Sequence, residues 1–122
     1  MKRNLKLILL LCLLITSACD KDKEIRRLLR GRTNTERIEG AFEAAKSGNK
    51  AYVPLLLRNA GDPGASTSLR WKGQTVCGVT MWALDTILHV KPPHKYELFL
   101  TDPDSANIKF YISVWQNMNK GK

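Results

Sequence analysis

An all-α domain is predicted by three features of this 122-residue chain. Apolar side chains recur at three- and four-residue spacing in several separate stretches, the pattern of a helix with one buried face. Start and stop signals sit where those stretches need them: Thr33-Asn34-Thr35-Glu36 and Asn49 at beginnings, Gly31, Gly48 and Gly61 at ends. One stretch, from Gln74 or Thr75 to His89, is apolar over so wide an arc that it must be covered on two sides. That stretch is the expected centre of the fold.

The first element is not part of the domain. Met1 to Lys6 is short and basic, and Leu7 to Ile15 carries no charged or amide side chain. These are the n-region and h-region of a secretory signal. The run is too short to span a bilayer as a helix, which takes about 20 apolar residues. Leu13-Leu14-Ile15-Thr16-Ser17-Ala18-Cys19, small residues ending at a cysteine, resembles the lipobox of bacterial lipoproteins. Thr16 departs from the leucine commoner there. The resemblance implies cleavage between Ala18 and Cys19, a diacylglyceryl thioether on Cys19 and a lipid-held N-terminus. An ordinary secretory signal that leaves Cys19 a free thiol is the plainer alternative. Asp20, directly after the cysteine, resembles the inner-membrane retention signal of enterobacterial lipoproteins. The expected location is therefore the cell envelope, on the periplasmic side if the cell is Gram-negative.

Removal of residues 1–18 leaves 104, enough for one small domain over 25–118, with a charged tether at 19–24 and a short tail at 119–122. The signal takes Lys2, Arg3 and Lys6 with it, so 17 basic residues remain against 11 acidic ones, a net charge of +6. Much of that excess lies within 21–32, where Lys21, Lys23, Arg26, Arg27, Arg30 and Arg32 face Asp20, Asp22 and Glu24. A basic segment beside a lipid anchor suits anionic head groups, at about 1 kcal/mol per charge near the surface. Membrane lipid is thus one expected partner. Export argues against nucleic acid, the usual partner of a basic chain. With Cys12 removed and Cys19 lipidated, Cys77 has no internal disulfide partner. Stability must come from packing.

Along the domain, Ile25, Leu28 and Leu29 form a short amphipathic helix stopped by Gly31. Thr33 and Glu36 have capping-box spacing, and Ile38, Ala41, Phe42 and Ala45 stripe the helix that follows to Ser47-Gly48. Asn49 caps a further stretch, Ala51 to Ala60, which Pro54 in its second turn should bend. Asp62-Pro63-Gly64 is a turn, and Ala65 to Gly73 a loop with an exposed Arg70-Trp71-Lys72 knuckle. On the long helix Val76, Val79, Ala83, Leu84 and Ile87 make one stripe, and Cys77, Met81, Leu84 and Leu88 make another beside it. Val53 to Leu57, the turn at Asp62, and Val76 leading to Ala83-Leu84 resemble a HEAT repeat over roughly 50–88. The resemblance implies two antiparallel helices, the first bent at proline, in a short mini-solenoid. Cys77 stands where that family often has arginine, and the inter-helix loop is longer than usual. One repeat cannot bury both its faces, so flanking helices are expected as caps. After Lys91-Pro92-Pro93-His94 the tail is ambiguous. Ile108, Tyr111, Ile112 and Trp115 fit a helix capped by Asp102 or Asp104, whereas Ile108, Phe110, Ile112 and Val114 alternate as in a β-hairpin with 96–100.

Catalytic motifs are sparse. Cys77 and His89, twelve residues apart on one helix, are separated by about 18 Å and cannot share a proton. Asp85 and His89 share a helix face with His94 near in sequence, but no recognised metal-ligand spacing is present; a solvent-facing pair is expected. No phosphate loop, nucleophile elbow or His-Glu-x-x-His occurs. The expectation is no enzyme, no metal and no cofactor beyond the lipid on Cys19. Trp71 between Arg70 and Lys72, and Trp82 near Asp85, are the binding candidates, since exposed tryptophan and arginine are typical anchors. Trp82 and Trp115 alternatively cover each other where the last helix packs. The expected function is a non-catalytic protein-interaction module facing an envelope partner. A lipid- or small-ligand-binding lipoprotein, with a pocket under the long loop, is the alternative, and a small envelope hydrolase a third.

Overall fold

The computed structural model describes the backbone of residues 2–120, and side chains for residue 4, residues 6–10 and residues 19–120. Thr16, Ser17 and Ala18, which carry the lipobox resemblance, are outside the described side chains, as is Cys12; Met1, Gly121 and Lys122 are outside the described residues altogether. Five α-helices follow one another: α1 Lys2–Leu29, α2 Asn34–Ser47, α3 Val53–Asn59, α4 Val76–Leu88 and α5 Ser105–Asn119. No strand forms among the described residues; an isolated bridge joins Ala65 and Thr75. The protein is all-α.

The segment 19–24, expected as a tether, is helical and continuous with α1. Local charge pairs favour this: Asp22 accepts from Arg26 one turn on (3.2 Å), and Arg27 reaches Glu24 (2.6 Å). Tyr52 adds a distant tie, donating its hydroxyl to Asp22 at 2.7 Å. Ile25, Leu28 and Leu29 turn inward onto α2. The approach there is so close that a Cβ on Gly40 would lie 2.8 Å from the backbone nitrogen of Leu29, so only glycine fits.

Both arms of the capping box at the start of α2 are made. Glu36 donates its N–H to Thr33 Oγ1 (3.1 Å), and Glu36 Oε1 accepts from the Thr33 N–H (3.3 Å). Asn49 Oδ1 accepts from the Ala51 N–H, but what it caps is a single 3₁₀ turn, Lys50–Tyr52. This corrects the expected bend at Pro54. The tight turn uses up the residues before it, and the proline falls in the first turn of α3, where its missing N–H would have had no partner anyway. A change of helix type replaces a kink.

Helix α4 is the central element, with ten of its thirteen residues buried, and it packs against α2, α3 and α5. Thr75 caps it, accepting from the Gly78 N–H. At Gly78 the segment 97–98 crosses so near that a Cβ would meet Leu98 O at 2.7 Å. The ambiguous tail resolves as helix: Asp104 caps α5, accepting the Asn107 N–H at 3.0 Å. The hairpin is precluded because the carbonyls that would pair a strand serve the start of α4. Leu98 O accepts from the Thr75 N–H (2.9 Å), and Leu100 O from Thr75 Oγ1 (2.6 Å).

Candidate functional site

The loop between α3 and α4 is fastened at its base. Asn34 donates to Ala65 O (3.1 Å), Thr35 and Ser66 share a hydroxyl bond (2.9 Å), and Ser66 N–H donates to Gln74 O (2.9 Å). Within the loop, Ser66 and Ser68 side chains accept from the N–H groups of Ser68 and Arg70, turning the chain back on itself. The expected exposed knuckle is only partly exposed. Trp71 is half-buried, its ring stacked on Phe42 of α2 with centroids 4.4 Å apart and planes inclined by 16°. Trp82 also meets the Phe42 ring, with centroids 4.9 Å apart and planes inclined by 46°. The ring partner of Trp82 is therefore Phe42, while Trp115 packs half-buried against the core. The Arg70 guanidinium sits 4.5 Å over the Trp71 ring, a cation–π contact.

What the loop offers to solvent is Leu69, 92% exposed, among exposed Thr67, Arg70 and Lys72. Phe99, 56% exposed, approaches the same loop at Gly73. The two loops share the seam through Thr75 described above. A surface leucine with two neighbouring cations and a nearby phenylalanine stands on a rigid aromatic base. Such an arrangement offers an apolar contact flanked by two cationic donors.

A polar cluster that sequence reasoning missed lies on the α4–α5 side. Asp85 is not part of a solvent-facing pair with His89. It accepts from the hydroxyls of Tyr111 (2.6 Å) and Tyr96, and burial pushes its carboxyl above the ordinary aspartate range while both hydroxyls oppose the rise. Burial and the facing carboxylate push both phenols well above the usual tyrosine value. Asn107, fully buried, donates to His94 O and accepts from the His94 N–H, both at 2.9 Å. These bonds lock the 89–104 connection to α5. His94 pairs instead with Asp104 (2.8 Å), and His89 is an exposed left-handed cap. Asp85, His89 and His94 are thus not gathered, and among the described residues no cluster of three metal-ligating side chains forms. Cys77 is buried and donates its thiol to Leu100 O (3.2 Å).

Cys19 is exposed on α1 and borders a 610 Å³ cavity whose other lining includes Ile25, Asn49 and Tyr52. That cavity lies beside α1, not under the long loop. The acids of 21–32 are paired with Arg26 and Arg27, whereas Lys21, Lys23, Arg30 and Arg32 make no ion pair among the described residues. No described helix is long and apolar enough to cross a membrane. The chain matches no protein-family model, no curated protein and no solved structure.

Proposed function

We propose that this protein is a non-catalytic protein-binding module of a bacterial cell envelope, held on the membrane by a lipidated Cys19 and built on a HEAT-like helical scaffold. The observation that carries the binding reading is Leu69: an almost wholly exposed leucine on a loop otherwise fastened by hydrogen bonds and the Phe42–Trp71 stack. A side chain left in water on a rigid support loses little conformational freedom on binding, which is what a docking anchor requires. Arg70 and Lys72 beside it favour a partner with acidic residues around an apolar pocket.

The anchor reading is supported by the exposure of Cys19, and the export signal ahead of it by Leu7, Ile8, Leu9 and Leu10, each more than half exposed on α1 and unsuited to water. Unpaired cations just beyond Cys19 suit an anionic surface. The scaffold reading is supported by Pro54 in the first turn of α3, α4 packing on α3 after the turn at Asp62, and α2 and α5 covering α4.

In-cell crosslinking from position 72 of the tagged chain tests the surface. One dominant protein adduct is expected, abolished by Leu69→Ser with Arg70→Ala and retained by Phe110→Ser on α5. An adduct unchanged by the loop substitutions would sink this assignment. In the same cells Cys19→Ser should leave the membrane fraction; unchanged partitioning would refute the lipid anchor.

A further inference from the structure

A second cavity, of 380 Å³, brings together three arginines from three separate stretches of chain: Arg30 just past α1, Arg37 in α2 and Arg58 in α3. Asp62 is the one carboxylate in its lining, and Leu29 and Leu55 supply apolar wall. The charge there does not cancel. Asp62 pairs with Arg37 at 3.0 Å, and Arg37 further donates to Gly31 O and Asn34 Oδ1, both at 2.7 Å. Arg30 and Arg58 make no side-chain hydrogen bond or ion pair among the described residues. Three cations against one anion leave a surplus of two positive charges around one concavity.

A simpler role must be weighed, because Arg30 and Arg58 stand at helix C-termini, where a cation complements the helix dipole. Several terminal carbonyls, however, are already occupied by other donors. Leu28 O accepts from the Gly31 N–H, Leu29 O from Asn59 Nδ2 (2.9 Å), Leu57 O from the Ala60 N–H, and Gly31 O from Arg37. The donors of both guanidinium groups remain unspent at the mouth of a cavity that can receive a ligand. Arginine presents its N–H groups as a planar fork that matches oxyanions, and a dianion balances the surplus. The volume lies at the small end of ligand sites, roughly 300–1,000 Å³, so it fits a compact group and not a polymer.

We propose that the cavity between α1, α2 and α3 binds a phosphate monoester through Arg30 and Arg58, with Arg37 held in its wall by Asp62. The group arrives either on a small soluble molecule or as a phosphomonoester lipid head group. This site uses none of the residues of the Leu69 surface and stands or falls independently of it.

The test is titration of the full-length chain with inorganic phosphate and with glycerol phosphate by calorimetry, against chloride at equal ionic strength. Flotation with phosphatidylcholine vesicles, with and without phosphatidic acid, runs in parallel. Saturable binding of the soluble phosphates assigns a soluble ligand; binding seen only as extra flotation with phosphatidic acid assigns the head group. In either case Arg30→Gln with Arg58→Gln weakens it by roughly tenfold or more, whereas Lys91→Gln with Lys95→Gln, an equal loss of charge elsewhere, leaves it unchanged. Both arginines are exposed and unbonded, so the double variant keeps its fold. Binding equal in the two double variants, or no phosphate response in either assay, overturns the proposal.

Discussion

Helix α4 meets two kinds of neighbour. The apolar side comprises α2 and α3, with α1 packed on both, and its buried residues are all apolar: Ile25, Leu28 and Leu29; Ile38, Gly40, Ala41, Ala44 and Ala45; Val53, Leu55 and Leu56. The polar side is α5, which touches α3 as well as α4 and is of comparable length to α2; its buried residues are Asn107 and Tyr111, joined by Asp85 and Tyr96. Apolar burial is non-directional and scales with area, so the first side gains most of the stability. Hydrogen bonds are directional and yield little net energy, but leaving one unmade in the interior is costly. The second side is therefore placed by a few directed contacts, and the final helix has one position in which Asp85, Asn107 and Tyr111 are all satisfied. The two sides should respond differently to substitution.

The largest effect is expected from Leu84→Ala, which empties space in the fully buried face of α4. Truncating a buried leucine costs about 2–5 kcal/mol. Urea unfolding should show the whole chain losing stability together, read as a lower midpoint at unchanged slope. A loss below about 1 kcal/mol would mean that α4 can collapse around the gap and is not the keystone of the apolar side.

A smaller and more local effect is expected from Tyr111→Phe, which leaves the Asp85 carboxylate short of one donor at a cost of about 1–3 kcal/mol. Hydrogen exchange should quicken in α5 and in 94–100 before it does in α2. Equal acceleration everywhere would dissolve the distinction between the two sides. The pH dependence sharpens it. The carboxyl of Asp85 is raised above its ordinary 3.8 in the folded state. The folded protein therefore takes up this proton first as pH falls, and this group adds stability as pH drops through its folded value toward 3.8. Asp104 and Asp22, held down by their hydrogen bonds, act in the opposite sense and lose stability over the acid range. Asp85→Asn should remove the first contribution and, because the carboxylate also helps raise Tyr96 and Tyr111, soften the alkaline contribution of those phenols. At the alkaline end the raised phenols are fully stabilising below pH 10, and that contribution is lost above it. Tyr52, pushed up to about 12 by burial and by Asp22, adds to the same fall. Tyr111→Phe should make the decline above pH 10 shallower than in the parent chain.

The same contrast explains what could be read from the chain. Contacts between near neighbours were legible: the Thr33–Glu36 box, the wide apolar arc from Val76 to Leu88, and Asp104 before a helical stripe. Each depends on spacing within one or two turns. Asp85 was not legible, because its partners lie 11 and 26 residues away and nothing local distinguishes it from a solvated acid. Trp71 looked like a free anchor since its cover, Phe42, belongs to α2, far away in the chain. Pro54 sits where expected in the chain, but the 3₁₀ turn before it moved the helix start. Arg30, Arg37 and Arg58 converge only once three helix ends meet. A signal for the tyrosine cluster did exist: Tyr96 and Tyr111 are two of three tyrosines in the chain, and a buried phenol needs a partner.

The smallest effect is expected at the edge of the apolar side, where α2 begins. Thr33→Ala removes the side-chain acceptor for the Glu36 N–H and the hydroxyl that donates to Glu36 Oε1, while the backbone N–H of residue 33 still donates to that carboxylate. Loss of such a cap costs about 1 kcal/mol. Here the helix is also held by the Gly40 crossing and by Arg37, which bonds Gly31 O and pairs with Asp62. The start of α2 should therefore fray by a turn without releasing Ile38, which stays in the core. Exchange should quicken at Glu36 and its neighbours while the urea midpoint moves only slightly. If Thr33→Ala instead destabilised the whole chain as much as Leu84→Ala, the apolar side would depend on a directed contact after all. The division of labour between area and hydrogen bonds would then fail on the side where it is expected to be clearest.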